Sequence, residues 1–186
     1  MTDRTLILID GENLVARYQA MLDEGRRPAP TVTHERDEFV WATSITRSPV
    51  QDIVRVPYFM TVVGNEQVIA NLEDRIARTR YGFRPSPETG EISGFLCPRI
   101  FKKARNDQRN KSVDINVTID ALRHAFNRHV DRITLISGDG DYLPLVREVM
   151  RQGVHVTTAG LSRGLSPELR RAADEFVDLD PQFFVT

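Results

Sequence analysis

Thr5-Leu6-Ile7-Leu8-Ile9-Asp10-Gly11-Glu12-Asn13-Leu14 opens the chain's first structured segment. Five residues, β-branched or leucine, run on without polar alternation. That is the pattern of a strand buried on both faces, as in a parallel sheet. The run stops at an acid, and a helical pattern follows. Ile133-Thr134-Leu135-Ile136-Ser137 repeats the arrangement and leads into Gly138-Asp139-Gly140-Asp141-Tyr142. Between the two lies a helix that begins Lys111-Ser112-Val113-Asp114. Ligands of an open parallel α/β sheet bind at the carboxyl ends of its strands. If both strands share one sheet, Asp10, Asp139 and Asp141 line one edge, and Asp114 can join them.

Working outward from these anchors gives an alternating order. Residues 13–23 read as a helix with Leu14, Val15, Tyr18, Met21 and Leu22 on one side. His34 to Ser44 reads as a second helix, its apolar side made by Phe39, Val40 and Trp41. Val50 to Val63 reads as a strand with an early irregularity at Pro57. Asn65 to Thr79 is a helix capped by Asn65, with Val68, Ile69, Leu72 and Ile76 as its stripe. Residues 82–110 are irregular, with a short strand or hairpin around Ile92 to Ile100. Ser112 to Asn127 is a helix, Ile133 to Ile136 a strand, and Tyr142 to Arg151 a helix stopped at Gly153. Val154 to Thr158 and Phe176 to Leu179 are strands flanking a short helix that starts at Ser166-Pro167. Alternating strands and helices predict one domain over residues 1–186, with a mainly parallel sheet between two helical layers.

Composition sets the class. The 186 residues are 40% apolar and 27% charged, as in a folded globular protein. Cys97 is the one cysteine, which excludes an internal disulfide and a cysteine-based zinc site. The first residues do not read as a signal peptide, and no apolar run approaches the ~20 residues that a membrane helix needs. The expectation is a cytoplasmic protein without membrane contact. The net charge of −1 hides a local imbalance. Arg99, Lys102, Lys103, Arg105, Arg109 and Lys111 face Asp107 alone between residues 99 and 111. A basic segment beside an acidic cleft suits a polyanion, although a solvated loop has the same composition. The apolar end Phe183-Phe184-Val185 suggests an interface, and so a homodimer.

Each motif also has a bland reading. Asp10 and Asn13 serve equally as a turn acid and a helix cap. Asp114 in a first helical turn is favoured by the helix dipole alone. Asp139 and Asp141 sit between glycines, as in a turn, but the segment after them is helical, so no hairpin forms. A calcium loop lacks its terminal Glu. Taken together, four carboxylates brought close would repel unless a cation lay among them. An all-oxygen set favours Mg²⁺ or Mn²⁺. Lys111 at a helix start is placed for phosphate. Asp120 lies off the Asp114 face and reads as an acid that supports the site's own acids from behind or forms a salt bridge. The four histidines have no ligand spacing.

Ile9-Asp10-Gly11-Glu12-Asn13-Leu14, Lys111-Ser112-Val113-Asp114 through Asp120, and Ser137-Gly138-Asp139-Gly140-Asp141-Tyr142 together resemble the NYN-domain family, the LabA-like branch of the PIN-like nucleases. Ser112 stands where Gly is frequent in that family, and Tyr142 where Phe is. The resemblance implies a PIN-like, three-layer Rossmannoid fold and a metal-dependent ribonuclease. Its acids would be Asp10, Asp114, Asp139 and Asp141, with Asn13 and Ser137 beside them. Lys111, Lys102, Lys103 and Arg105 would hold single-stranded RNA. The rival is an RNA-binding or protein-regulatory module whose acids do no chemistry. A small-molecule phosphatase or nucleotide hydrolase would need a deep closed pocket instead of an open basic groove.

Overall fold

The computed structural model describes residues 2–47, 50–103 and 111–185. Strand β1 (Arg4–Asp10) lies in the middle of a seven-stranded sheet. Helix α1 (Gly11–Asp23) follows it, then a hairpin of β2 (Val32–Glu35) and β3 (Phe39–Ala42). β4 (Asp52–Arg55) and β5 (Pro57–Val63) both pair parallel with β1, the first along its start at Arg4 to Leu6 and the second at its end, Ile9 and Asp10. Helix α2 (Glu66–Arg78) leads to the hairpin β6 (Arg80–Phe83) and β7 (Ile92–Phe95). β8 (Cys97–Lys103) pairs parallel with β5 at the sheet's edge. Helix α3 (Ser112–Phe126) then crosses to the other side of β1, where β9 (Arg132–Ile136) lies. Helix α4 (Leu143–Arg151), β10 (His155–Gly160), helix α5 (Pro167–Ala172), β11 (Glu175–Asp178) and helix α6 (Asp180–Phe183) complete the chain.

The strand order β11-β10-β9-β1-β5-β8 follows from those crossovers. Every pairing in this main sheet is parallel. β1 is buried on both faces because its side chains alternate. Ile7 and Ile9 join Leu14, Val15 and Tyr18 of α1 and Leu72 and Ile76 of α2. Leu6 and Leu8 join Val113, Val117 and Ala121 of α3 and Leu145, Val146 and Val149 of α4. The result is the α/β three-layer arrangement expected from the alternation. Among the described residues no helix is long and apolar enough to cross a membrane.

Two expectations are corrected. His34 to Ser44 is not a helix but the β2–β3 hairpin, closed at Asp37 with a φ of 61° and followed by a 3-10 turn at Thr43–Thr46. Phe39, Val40, Trp41 and Ala42 are all buried. A strand laid against α1 is covered on both of its faces, so it shows no period of 2. The Tyr58 hydroxyl donates to the Val40 carbonyl at 3.3 Å and accepts from its amide. The second correction concerns the C-terminal apolar end. Phe183 and Phe184 do not form an outer interface but pack on Tyr18 within the chain, with ring centroids 5.7 and 5.1 Å away. A backbone bridge between Pro28 and Phe184 fixes that end to the loop after α1.

Candidate active site

The connections after the parallel strands β1 and β9 run to opposite sides of the sheet, toward β5 and toward β10, and create the topological switch point where α/β sheets bind ligands. The register Ile9↔Ile136 brings Asp10 and Ser137 side by side at the strand ends. Asp10 N-caps α1 through a 3.0 Å bond from the Asn13 amide. Its second oxygen accepts from Ser137 Oγ at 3.0 Å. The Asp139 amide donates to Ser137 Oγ (3.1 Å), and the Asp141 amide to Asp139 Oδ1 (3.0 Å). Asn13 Oδ1 accepts from the Gly138 amide (3.0 Å) and ties the second loop to the first helix. Asn13 and Ser137 therefore hold the two acidic loops in register.

Asp114 enters from the first turn of α3, and its Oδ1 accepts from the Tyr142 hydroxyl at 3.3 Å. Lys111 stands at the N-cap of the same helix, with Nζ 3.9 Å from Asp141 Oδ2, both side chains exposed. Asp120 pairs with Arg99 (3.9 Å) and Arg123 (3.8 Å), the salt-bridging part expected of it. Lys102 and Lys103 end β8 on the other flank and, as successive strand residues, face opposite ways. Arg105 and Arg109 lie outside the described residues.

The electrostatics of the acids are unfavourable in the absence of a cation. Asp10 is 3% exposed. Burial pushes its carboxyl up to about 7, against hydrogen bonds from Asn13 and Ser137, and the charges of Asp114 and Glu12 add to the rise. Asp114 is also raised, by burial first and then by Asp139 and Asp141, although the Tyr142 bond opposes this. The Tyr142 hydroxyl is held far above its ordinary range by burial and by the charges of Asp10 and Asp114. It thus stays a donor. Among the described residues no three Asp, Glu, His or Cys side chains are gathered closely enough to hold a metal ion as they stand. The chemistry of the set nevertheless fits a hard divalent cation. It is all oxygen, it comes from three separate segments, and its members raise one another's proton affinity.

The NYN domain family model matches residues 4–180. This chain belongs to the NYN domain family. Two curated relatives match over shorter stretches. One is an uncharacterized protein, MJ0482, of Methanocaldococcus jannaschii, 31% identical over 71 residues, which are 38% of this chain and 30% of that protein. The other is the low amplitude and bright protein LabA of Synechococcus elongatus, 30% identical over 69 residues, 37% of this chain and 36% of LabA. The matches thus span about a third of each relative's length. A solved structure, the protein of unknown function VPA0982 from Vibrio parahaemolyticus, has the same fold. Its TM-score is 0.58 at 21% identity, with 99% of this chain and 97% of that one covered.

Within this NYN domain, sequence reasoning missed three groups at the site. Tyr142 donates its hydroxyl to Asp114, and only its replacement of the family's frequent Phe marked it. Glu12, two residues after Asp10, receives a hydrogen bond from the Thr61 hydroxyl on β5. Thr61 itself sits in an apolar strand run and gave no signal.

Proposed function

We propose that this NYN domain is a metal-dependent endoribonuclease whose centre is Asp10, Asp114, Asp139 and Asp141. The observation that carries the reading is the buried Asp10 carboxyl at the sheet's switch point, its proton affinity raised by burial and by Asp114, which is raised in turn by Asp139 and Asp141. Acids clustered at a cost to the apo fold are the usual mark of a functional site. A bound Mg²⁺ or Mn²⁺ would neutralise charge on the scissile phosphate and lower the pKa of a water. Asp10 is the fixed member, because the Asn13 amide and Ser137 Oγ leave its carboxylate no free rotation. Asp139 is oriented by the Asp141 amide. Lys111, beside Asp141, offers a cation to the RNA backbone at the mouth of the cleft, and Lys102 and Lys103 add one on each face of the sheet at the end of β8.

The test is cleavage of labelled single-stranded RNA with Mn²⁺ and with EDTA, for the wild type and Asp139→Asn. The expected result is Mn²⁺-dependent internal cleavage, lost in the variant while the fold is kept. RNA bound tightly but left intact with Mn²⁺ would favour the second reading, a binding module. The spacing of the acids, open among the described residues, is the observation on that side.

A further inference from the structure

A groove of about 430 Å³ opens beside the acidic cleft, between the start of α1, the β2–β3 turn and the ends of β5 and β8. Glu12 belongs to both places. Its charge acts on Asp10, and its side chain lines the groove. The groove therefore adjoins the proposed reaction centre through Glu12, two residues after Asp10 on the start of α1. Its volume is in the range of pockets for nucleotide-sized ligands. Met60 and Val63 supply an apolar wall, and Lys103 a cation at the rim.

The polar groups of this groove are fixed before any ligand arrives. The Thr61 hydroxyl donates to Glu12 Oε1 and occupies one of about four acceptor positions on that carboxylate. Across the groove, Gln19 clamps Asp37. Gln19 Nε2 donates to Asp37 Oδ1 at 3.2 Å, and the Asp37 amide donates to Gln19 Oε1 at 3.2 Å. The groove thus presents two oriented carboxylates, an apolar wall and one cation. Such a lining accepts hydrogen bonds and offers few.

We propose that this groove is a base-specific subsite for a guanine in the single-stranded RNA that crosses the cleft. The assignment rests on the RNA-binding reading above. Guanine alone among the four bases carries two adjacent donors, N1–H and the N2 amino group, on its Watson–Crick edge. A carboxylate takes both in parallel. Adenine, cytosine and uracil each place an acceptor beside their donor, so an anion there meets repulsion as well as a bond. Single-stranded RNA exposes this edge, and proteins that read it do so by edge hydrogen bonds with the base face on a side-chain wall. Lys103 at the rim is positioned for the adjoining phosphate.

Binding without cleavage tests the subsite separately from the catalytic reading. Fluorescence anisotropy of end-labelled UUGUU, UUAUU and UUUUU is measured against the full chain in EDTA. The expected result is that the single G tightens binding about tenfold over A or U, the worth of one bidentate pair. Glu12→Gln should remove that gain by placing an amide N–H against the base donors. Ala16→Trp, at an exposed position on the groove's edge, should remove it by filling the space without touching the core. Equal binding of the three oligonucleotides, or a G preference that survives both groove variants, would overturn the subsite. A G preference without Mn²⁺-dependent cleavage would leave the subsite standing and remove the nuclease.

Discussion

Asp10 shows how a single residue can set the pH behaviour of the apo protein. Its folded proton affinity, near pH 7, exceeds the unfolded value of 3.8. Between those values the folded state binds the extra proton. Stability therefore falls as pH rises from about 4 to about 7, and the cost is fully present above 7. The upper bound is about 4 kcal/mol, from a shift of roughly three units. Asp10→Asn keeps an acceptor for the Asn13 amide and carries no charge. Without metal, its melting temperature at pH 7.5 should exceed that of the wild type, and the gap should close toward pH 4.5. Asp131, lowered by its bonds from Arg4, acts in the opposite sense but equally in both proteins. A constant gap would show that Asp10 is not the titrating group. The same linkage predicts that Mn²⁺ binding releases a proton near neutral pH. Calorimetry in two buffers of different ionisation enthalpy should show it, and Asp10→Asn should not. Tyr142 has a further part. Its hydroxyl lowers the proton affinity of Asp114, so Tyr142→Phe should raise it further. The acid limb of the Mn²⁺-dependent cleavage profile should then move to higher pH. An unmoved limb would make the hydroxyl a packing feature.

Elements differ in how plainly their sequences announce them. β1 and β9 were legible because unbroken apolar runs ending in acids have few other uses, and α2 because Asn65 caps it as its sequence suggests. The β2–β3 hairpin was not. Its second strand is covered on both faces, and Arg36-Asp37-Glu38 lacks the Gly that usually marks a left-handed turn residue. The acidic motifs were legible only as places in the fold, at strand ends and at a helix start. Their spacing was not: the four were expected together, whereas no three are gathered closely among the described residues, because spacing depends on the Ile9↔Ile136 register and on the crossover of α3. Thr61 was invisible for the same reason, since it reaches Glu12 only through the packing of β5 against α1. The junction of β1 and α1 is equally a matter of packing. A Cβ on Gly11 would land on the Tyr58 ring and 2.6 Å from the Phe59 carbonyl oxygen. Backbone cannot yield there as a side-chain end can. Gly11→Ala should cost about 2 kcal/mol in urea unfolding, in the range of overpacked cores. Gly90→Ala, with nothing within 4 Å, is the neutral control. Equal midpoints for the two would mean that α1 can shift on β5.

At the scale of the whole molecule, the proposed function requires a chain of net charge −1 to admit a polyanion. Separating its charges along the sheet's carboxyl edge would allow it. Asp10, Asp139 and Asp141 follow the ends of β1 and β9, and Asp114 lies in the first turn of α3. Lys111 stands on one side at the start of α3, and Lys102 and Lys103 stand on the other at the end of β8. RNA laid along this edge would meet cations at both ends and acids in the middle. Binding without a divalent ion should therefore be weak and steeply salt-dependent. Each phosphate contact to a single strand contributes about −0.7 to the slope of log K against log salt. Three simultaneous contacts give a slope near −2, on the order set by that increment. Lys102, Lys103 and Arg105 changed together to Ala should flatten the slope and weaken a pyrimidine-only strand and a mixed strand alike. Mn²⁺ affinity should stay where it was, because none of the three is an acid of the centre. Anisotropy titrations at several salt concentrations, paired with a Mn²⁺ titration by calorimetry, measure both quantities. An unchanged slope would take this flank out of the RNA path and leave Lys111 as the cation that approaches the backbone. A fall in Mn²⁺ affinity would mean that the substitutions had disturbed the acids and not the RNA path alone.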